Sequence, residues 1–162
     1  PLFTAGLTNT ISWKGLSFSF LLTSSVGTDI YNASKIEMIG MYTGGNQIKD
    51  VVRRWRIPGQ ITDIPKAGEL DNLRASTRWI EDGSYLKVKN ITLSYDIKHP
   101  ALKKANISRI QPYITLDNMI TFTKYSGYDP EMSQYTSATS MGIDWGTYPC
   151  VKTVLFGVNV EF

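Results

Sequence analysis

The sequence contains one histidine, His99, and one cysteine, Cys150. A single thiol excludes an internal disulfide and a cysteine-built metal cluster. The imidazole stands before Pro100 in a turn signal, which puts it in solvent rather than beside a nucleophile and an acid. Cys150 reads as a packing thiol at the start of a strand. No apolar run approaches the ~20 residues of a membrane helix. A strand-built crossing stays open, because its alternation leaves mean hydropathy near neutral. Residues 126–149 have no Lys or Arg, only Asp129, Glu131 and Asp144, while residues 28–83 hold eight basic and eight acidic residues. Lys98, Lys103 and Lys104 gather at a turn, within a net charge of +3. This scatter lacks the basic, aromatic-studded face of a nucleic-acid binder. No phosphate-cradling glycine pattern occurs, and Gly44-Gly45 is a turn signal. Pro1-Leu2-Phe3 enters a strand pattern without a leader-like segment, so a start inside a longer protein is expected.

Period-two alternation is the dominant pattern. Phe3, Ala5, Leu7, Ile11 and Trp13 share one parity against Thr4, Gly6, Thr8, Thr10 and Ser12. After the Lys14-Gly15 reversal, Leu16, Phe18, Phe20, Leu22 and Val26 alternate with Ser and Thr. Ile91, Leu93, Tyr95 and Ile97 follow, but Leu86 and Val88 sit on the opposite parity. That change predicts either a bulge near Lys89 or an end lying above the membrane. Ile110, Ile114, Leu116, Ile120 and Phe122 form a fourth apolar row, interrupted by Asn118. Val154, Phe156, Val158, Val160 and Phe162 form the fifth. The expected strands cover residues 3–13, 16–27, 85–97, 108–125 and 151–162.

A soluble β-sandwich also alternates, so the connections decide. They run short, long, short, long, as in an outer-membrane barrel with tight periplasmic turns and long extracellular loops. A compact sandwich rarely tolerates a connection as long as residues 28–83. Strands of about ten residues suit a tilted crossing, and the small polar face suits a wet lumen. Trp13, Tyr125 and Phe162 fall where aromatic girdles belong. The fold expected is all-β: the final five strands of a transmembrane antiparallel β-barrel. Five strands enclose no lumen, so the rest of the barrel is expected before Pro1.

Several segments carry a family resemblance. They include Arg54-Trp55-Arg56 with Thr62-Asp63-Ile64-Pro65, and the run from Ser76-Thr77-Arg78-Trp79-Ile80-Glu81-Asp82-Gly83 through Tyr95. Asp117-Asn118-Met119 leads into Tyr125-Ser126-Gly127-Tyr128-Asp129-Pro130-Glu131, followed by Gly142-Ile143-Asp144-Trp145-Gly146-Thr147-Tyr148-Pro149 and Phe156 to Phe162. In this order, over essentially the whole chain, they resemble the C-terminal end of SusC/RagA-type TonB-dependent outer-membrane transporters of Bacteroidota. Family members often have Gln or Arg near Cys150, and Gly-Gln-Asn where this chain has Leu116-Asp117-Asn118.

The resemblance implies a 22-stranded barrel around a plug domain, with plug and TonB box outside this chain. It implies import of oligosaccharides, glycans or oligopeptides under a SusD-like surface lipoprotein lid, energised through TonB. The implied surroundings are outer-membrane lipid and the remainder of the barrel, with Phe162 in the periplasm. Phe156, Val158, Val160 and Phe162 resemble the C-terminal signal read by the barrel-assembly machinery. No cofactor, metal or nucleic acid is implied, and no enzyme. The alternatives are an outer-membrane barrel enzyme or a soluble binding or adhesion sandwich.

Candidate ligand contacts lie in the acidic loop. Tyr128, Tyr135, Trp145 and Tyr148 offer flat faces to sugar rings or peptide side chains, and Asp129, Glu131 and Asp144 offer acceptors. The competing reading is that these residues fix the loop's own fold or touch the lid. Asp129-Pro130-Glu131 has spacing compatible with calcium, but that spacing is common in turns. Trp55 and Trp79, beside arginines, are expected to order the larger loop by cation–π contacts. Residues 31–41 have the character of a short helix.

Overall fold

The computed structural model describes residues 1–42, 44–68, 73–104, 106–131, 133 and 141–162. In chain order its elements are β1 (Phe3–Trp13), β2 (Leu16–Val26), β3 (Asp29–Asn32), α1 (Ala33–Ile39), β4 (Ile80–Asp82), β5 (Tyr85–Tyr95), α2 (Pro100–Lys104), β6 (Arg109–Thr123), β7 (Ile143–Asp144) and β8 (Thr153–Glu161). They divide into two units. Pro1–Gly27, Ser84–Lys124 and Cys150–Phe162 form a sheet unit, while Thr28–Gly83 and Tyr125–Pro149 form a loop unit.

The sheet unit is one antiparallel sheet in the order β1-β2-β5-β6-β8. Lys14 and Gly15 both have positive φ, 47° and 90°. That pairing matches the twist of a two-residue hairpin and explains why a glycine stands second. Two long connections, between β2 and β5 and between β6 and β8, make up the loop unit.

Register keeps the apolar residues on one face. Leu7 pairs with Leu22, Ile11 with Phe18, Phe18 with Leu93 and Phe20 with Ile91. The row continues through Ile91 with Leu116, Leu93 with Ile114, and Ile114 with Phe156. The parity change in β5 is a bulge: Leu21 pairs with Asn90 and Leu22 with Val88, so Lys89 is the extra residue. A one-residue insertion is what lets Leu86 and Val88 join the face of Ile91 and Leu93. Asn118, the interruption in β6, takes a positive φ of 54°, and its side-chain amide donates to the Val151 carbonyl at 3.2 Å.

The two faces differ in what covers them. Leu7, Ile11, Trp13, Phe122, Phe156 and Val158 are all exposed. On the polar face, Ser25 is buried and Lys87 is only 1% exposed. A hydrogen-bonded ladder crosses that face. Asn90 Nδ2 donates to Asp117 Oδ1 at 2.7 Å, Thr92 and Thr115 hydroxyls meet at 3.0 Å, and Gln111 Nε2 donates to Asp96 Oδ1 at 2.8 Å. Arg109 stands between Asp96 and Glu161, at 3.8 and 3.5 Å. Tyr113 lays its ring over Gly157, where a Cβ would collide with it. The sheet is thus inverted relative to a soluble one, with its apolar face open and its polar face tied together.

In the loop unit, β3 lies between β4 and β7, antiparallel to the first and parallel to the second. Ile30, Ala33, Ile39, Ile64, Trp79 and Tyr125 are its buried apolar and aromatic residues. No helix among the described residues is long and apolar enough to cross a membrane.

Candidate functional site

The loop unit is organised around Glu81. Asn32 ends β3 and caps α1, its Oδ1 accepting from the Lys35 amide at 3.1 Å and the Ser34 hydroxyl at 2.9 Å. This is the ordinary role of asparagine at a helix start. The other side of the same amide donates to Glu81 Oε1 and Ser126 Oγ, both at 3.3 Å. Glu81 Oε1 also accepts from Lys35 Nζ and the Ser126 hydroxyl, both at 2.8 Å, and Oε2 accepts the Ser126 amide at 2.9 Å. Burial alone would push the Glu81 carboxyl up, but the Lys35 and Ser126 contacts outweigh it and hold the carboxyl below its usual range. The carboxylate therefore keeps its charge at neutral pH, where it ties β4 to α1 and to the second long connection.

A second tie closes on Asp144. The buried Tyr125 hydroxyl donates to Asp144 Oδ2 at 2.6 Å. Asp144 Oδ1 accepts the amides of Gly146 and Thr147 at 2.8 and 3.0 Å. Burial, then the Asp144 carboxylate, push the Tyr125 hydroxyl well above the ordinary tyrosine range, so it stays a donor. Tyr125 is therefore interior to the loop unit and not a girdle residue. Its hydroxyl has a buried partner that a place in the lipid interface would deny it.

The expected ligand contacts separate by exposure. Tyr128, at 74% exposed, and also Trp145 and Tyr148 present their rings outward. Asp129 and Asp144 are buried. Asp129 Oδ1 accepts the Glu131 amide at 3.0 Å, a local turn contact. Glu131 is half-buried beside it, and Tyr135 lies outside the described residues. On β8, Phe156 at 75% exposed, together with Val158 and Val160, lies on the open apolar face, and the terminal Phe162 is exposed. His99 Nδ1 accepts the Ala101 amide at 3.2 Å at the start of α2.

The larger loop is stitched by its sequence motifs. The Trp55 amide donates to the Ile64 carbonyl at 3.0 Å, joining the Arg-Trp-Arg and Thr-Asp-Ile-Pro segments. Trp79 is 1% exposed, donates Nε1–H to the Arg74 carbonyl at 3.0 Å, and has the Arg78 guanidinium 5.1 Å from its ring centre. A cavity of about 300 Å³ opens beside this framework, between Lys35, Met38, Ile48, Asp50, Ser126 and Tyr128. Sequence reasoning missed Asn32, Glu81 and Ser126. Only Asn32, as a helix cap, carried a local signal.

Comparison with known proteins places this architecture. No protein-family model matches the chain. The TonB-dependent receptor P3 of Formosa agariphila is 31% identical over 167 residues, covering 100% of this chain and 16% of the receptor. The TonB-dependent receptor SusC of Bacteroides thetaiotaomicron is 27% identical, covering 97% of this chain and 15% of that protein. This chain is a SusC/RagA-type TonB-dependent receptor segment. The RagAB peptide importer in its closed-closed state matches with a TM-score of 0.81 at 28% identity, over 98% of this chain and 17% of that one. The open-open state gives 0.79. The receptor segment thus spans about one sixth of the length of the relatives it matches.

Proposed function

We propose that the parent protein is an active importer of the outer membrane, and that this chain supplies five strands of its wall and two outward loops. The observation that carries the reading is the open apolar face of the sheet, from Leu7 to Phe156, opposite a ladder of polar contacts. In a water-soluble monomer a contiguous apolar face of this extent would need a partner; in a barrel, lipid is that partner. The parent barrel has 22 strands around a plug, and TonB supplies the energy through the plug. Phe162 lies on the periplasmic side, with Phe156, Val158 and Val160 as the remainder of an assembly signal. The Lys14-Gly15 turn and the Pro100 turn then face the periplasm, and the two long connections are extracellular. The cargo is an oligosaccharide, glycan or oligopeptide. The named relatives are receptors and a peptide importer, which supports transport over catalysis.

A SusD-like lipoprotein closes over the loop unit as a lid. Val52, Ile57 and Ile61 are exposed on one segment, Ile61 completely, among Arg53, Arg54 and Arg56. Isolated apolar side chains in a charged loop suit the core and rim of a docking surface. Tyr128, Trp145 and Tyr148 are the outward rings available to cargo or lid, while Asp129 and Asp144 hold the loop that presents them.

Deleting the gene should abolish growth on one polymer while its cleavage at the surface continues. Unchanged growth on every glycan and peptide source would count against import. Changing Ile57 and Ile61 together to Asp should reduce lipoprotein co-purification by roughly tenfold or more, since central apolar contacts dominate such interfaces. Full recovery of the complex would remove this segment from the docking surface.

A further inference from the structure

At the end of the sheet that carries the Lys14-Gly15 turn and α2, the open apolar face is notched. Leu16, Leu93, Tyr95, Pro112, Ile114 and Phe156 line a shallow groove of about 310 Å³. Pro112 pairs with Val158 on β8 and has no amide hydrogen to give the strand on its other side. Pairing of β5 with β6 accordingly stops at Ser94 and Tyr113, and returns only as a single bridge between Ile97 and Ile110. Against the longer side chains beside it, the compact proline ring leaves the face low.

The charge at this end of the sheet is mostly basic. Lys14 precedes Gly15 and Leu16 in the hairpin, and Lys98, Lys103 and Lys104 lie on the Pro100 turn and α2. The acids of the same end, Asp96 and Glu161, both stand beside Arg109, and Asp96 also accepts from Gln111. Among the described residues no carboxylate pairs with Lys14 or Lys98. Lys14 instead holds its ammonium 4.9 Å from the centre of the exposed Trp13 ring. Trp13 pairs with Leu16, and Leu16 with Tyr95, so this cation stands beside the row that borders the groove. The Tyr95 hydroxyl has no hydrogen-bond partner among the described residues.

These features select an occupant. A protein segment laid here would bring backbone amides to a groove whose side chains, Tyr95 apart, offer them no partner. An acyl chain brings none. The unpaired ammonium groups call for an anion just beyond the groove, and a border of tryptophan and tyrosine suits the ester level of a bilayer. A phosphate there gains about fivefold in binding from each lysine near the surface. We propose that this groove is a binding site for one anionic glycerophospholipid, its acyl chain over Pro112 and its phosphate at Lys14 and Lys98. The proposal rests on the reading that the apolar face meets lipid, and adds to it a preferred lipid and a place.

The test uses the whole receptor with Cys150→Ser, in liposomes, carrying a bimane fluorophore on a single introduced cysteine. Phe18→Cys places it beside the groove, since Phe18 pairs with Leu93. Ile120→Cys, paired with Val88, places it elsewhere on the same face. Lipids brominated on their acyl chains quench on contact, and phosphatidylglycerol is compared with phosphatidylcholine. At position 18 the quenching curves should favour phosphatidylglycerol by about fivefold or more, and at position 120 neither lipid. Lys14→Gln with Lys98→Gln should bring the ratio at 18 close to one. So should Ile114→Trp, which fills the groove and leaves both lysines in place. Equal quenching at 18, the same preference at 120, or a preference that survives either change would overturn the site. In each of those cases the apolar face still meets lipid. Quenching at 120 with none at 18 would put a protein partner over the groove and overturn the site as well. No quenching at either position would take down the lipid-facing reading together with the site.

Discussion

Phe20→Arg should destabilise the intact protein in the membrane, whereas Ser19→Arg, its neighbour on β2, should leave its stability nearly unchanged. Phe20 pairs with Ile91 in the middle of the open apolar face. Arginine at the midplane of a barrel's lipid side costs about 2–4 kcal/mol, and the lost Phe18–Phe20 ring contact, 5.9 Å between centroids, adds to it. Ser19 lies on the other face between Thr10 and Thr92, where a guanidinium meets hydroxyls and water. Against a typical total of ~5–15 kcal/mol, the first change should visibly lower the urea midpoint in liposomes. Equal midpoints for the two variants would mean the faces are assigned wrongly.

The second large effect belongs to Trp79. Its ring is the largest fully buried side chain of the loop unit, and its indole N–H and the Arg78 cation fix it from two sides. Trp79→Ala should cost about 3–5 kcal/mol, because the site loses an aromatic volume it cannot refill. The loss should appear as faster amide exchange across α1 and β4, with β2, β5 and β6 still protected. Tyr148→Ala, at an exposed ring, should alter neither. If Trp79→Ala preserved protection in α1 and β4, the loop unit would have another core.

How much of this could be read from the sequence depends on how local the cause is. The antiparallel sheet was legible because each strand carries its apolar and polar residues at period two, and lipid and lumen impose that period over the whole strand. The bulge at Lys89 was legible for the same reason, since an extra residue leaves a parity change behind it. Asn118 was visible as an exception, but its left-handed backbone was not, because asparagine reaches that conformation without any companion signal. The loop unit was mostly illegible. Glu81, Asn32 and Ser126 meet from three distant stretches of chain, and no period links them. Tyr125 was expected at the girdle because it ends the expected strand 108–125, but the strand stops at Thr123 and the fate of Tyr125 is set by Asp144, nineteen residues on. For Asp144, the following Trp-Gly-Thr allowed a self-closing turn, and the observed amide contacts take Oδ1 that way.

The central claim is that the apolar face of this sheet meets lipid. Spin labels placed singly along residues 16–25 of β2, in the whole protein with Cys150 replaced and reconstituted in liposomes, test it directly. Collision with dissolved oxygen should peak at 16, 18, 20 and 22, and collision with a water-soluble nickel complex at 17, 19, 21 and 23. Uniform exposure to the nickel complex along the strand, or the opposite alternation, would contradict the account.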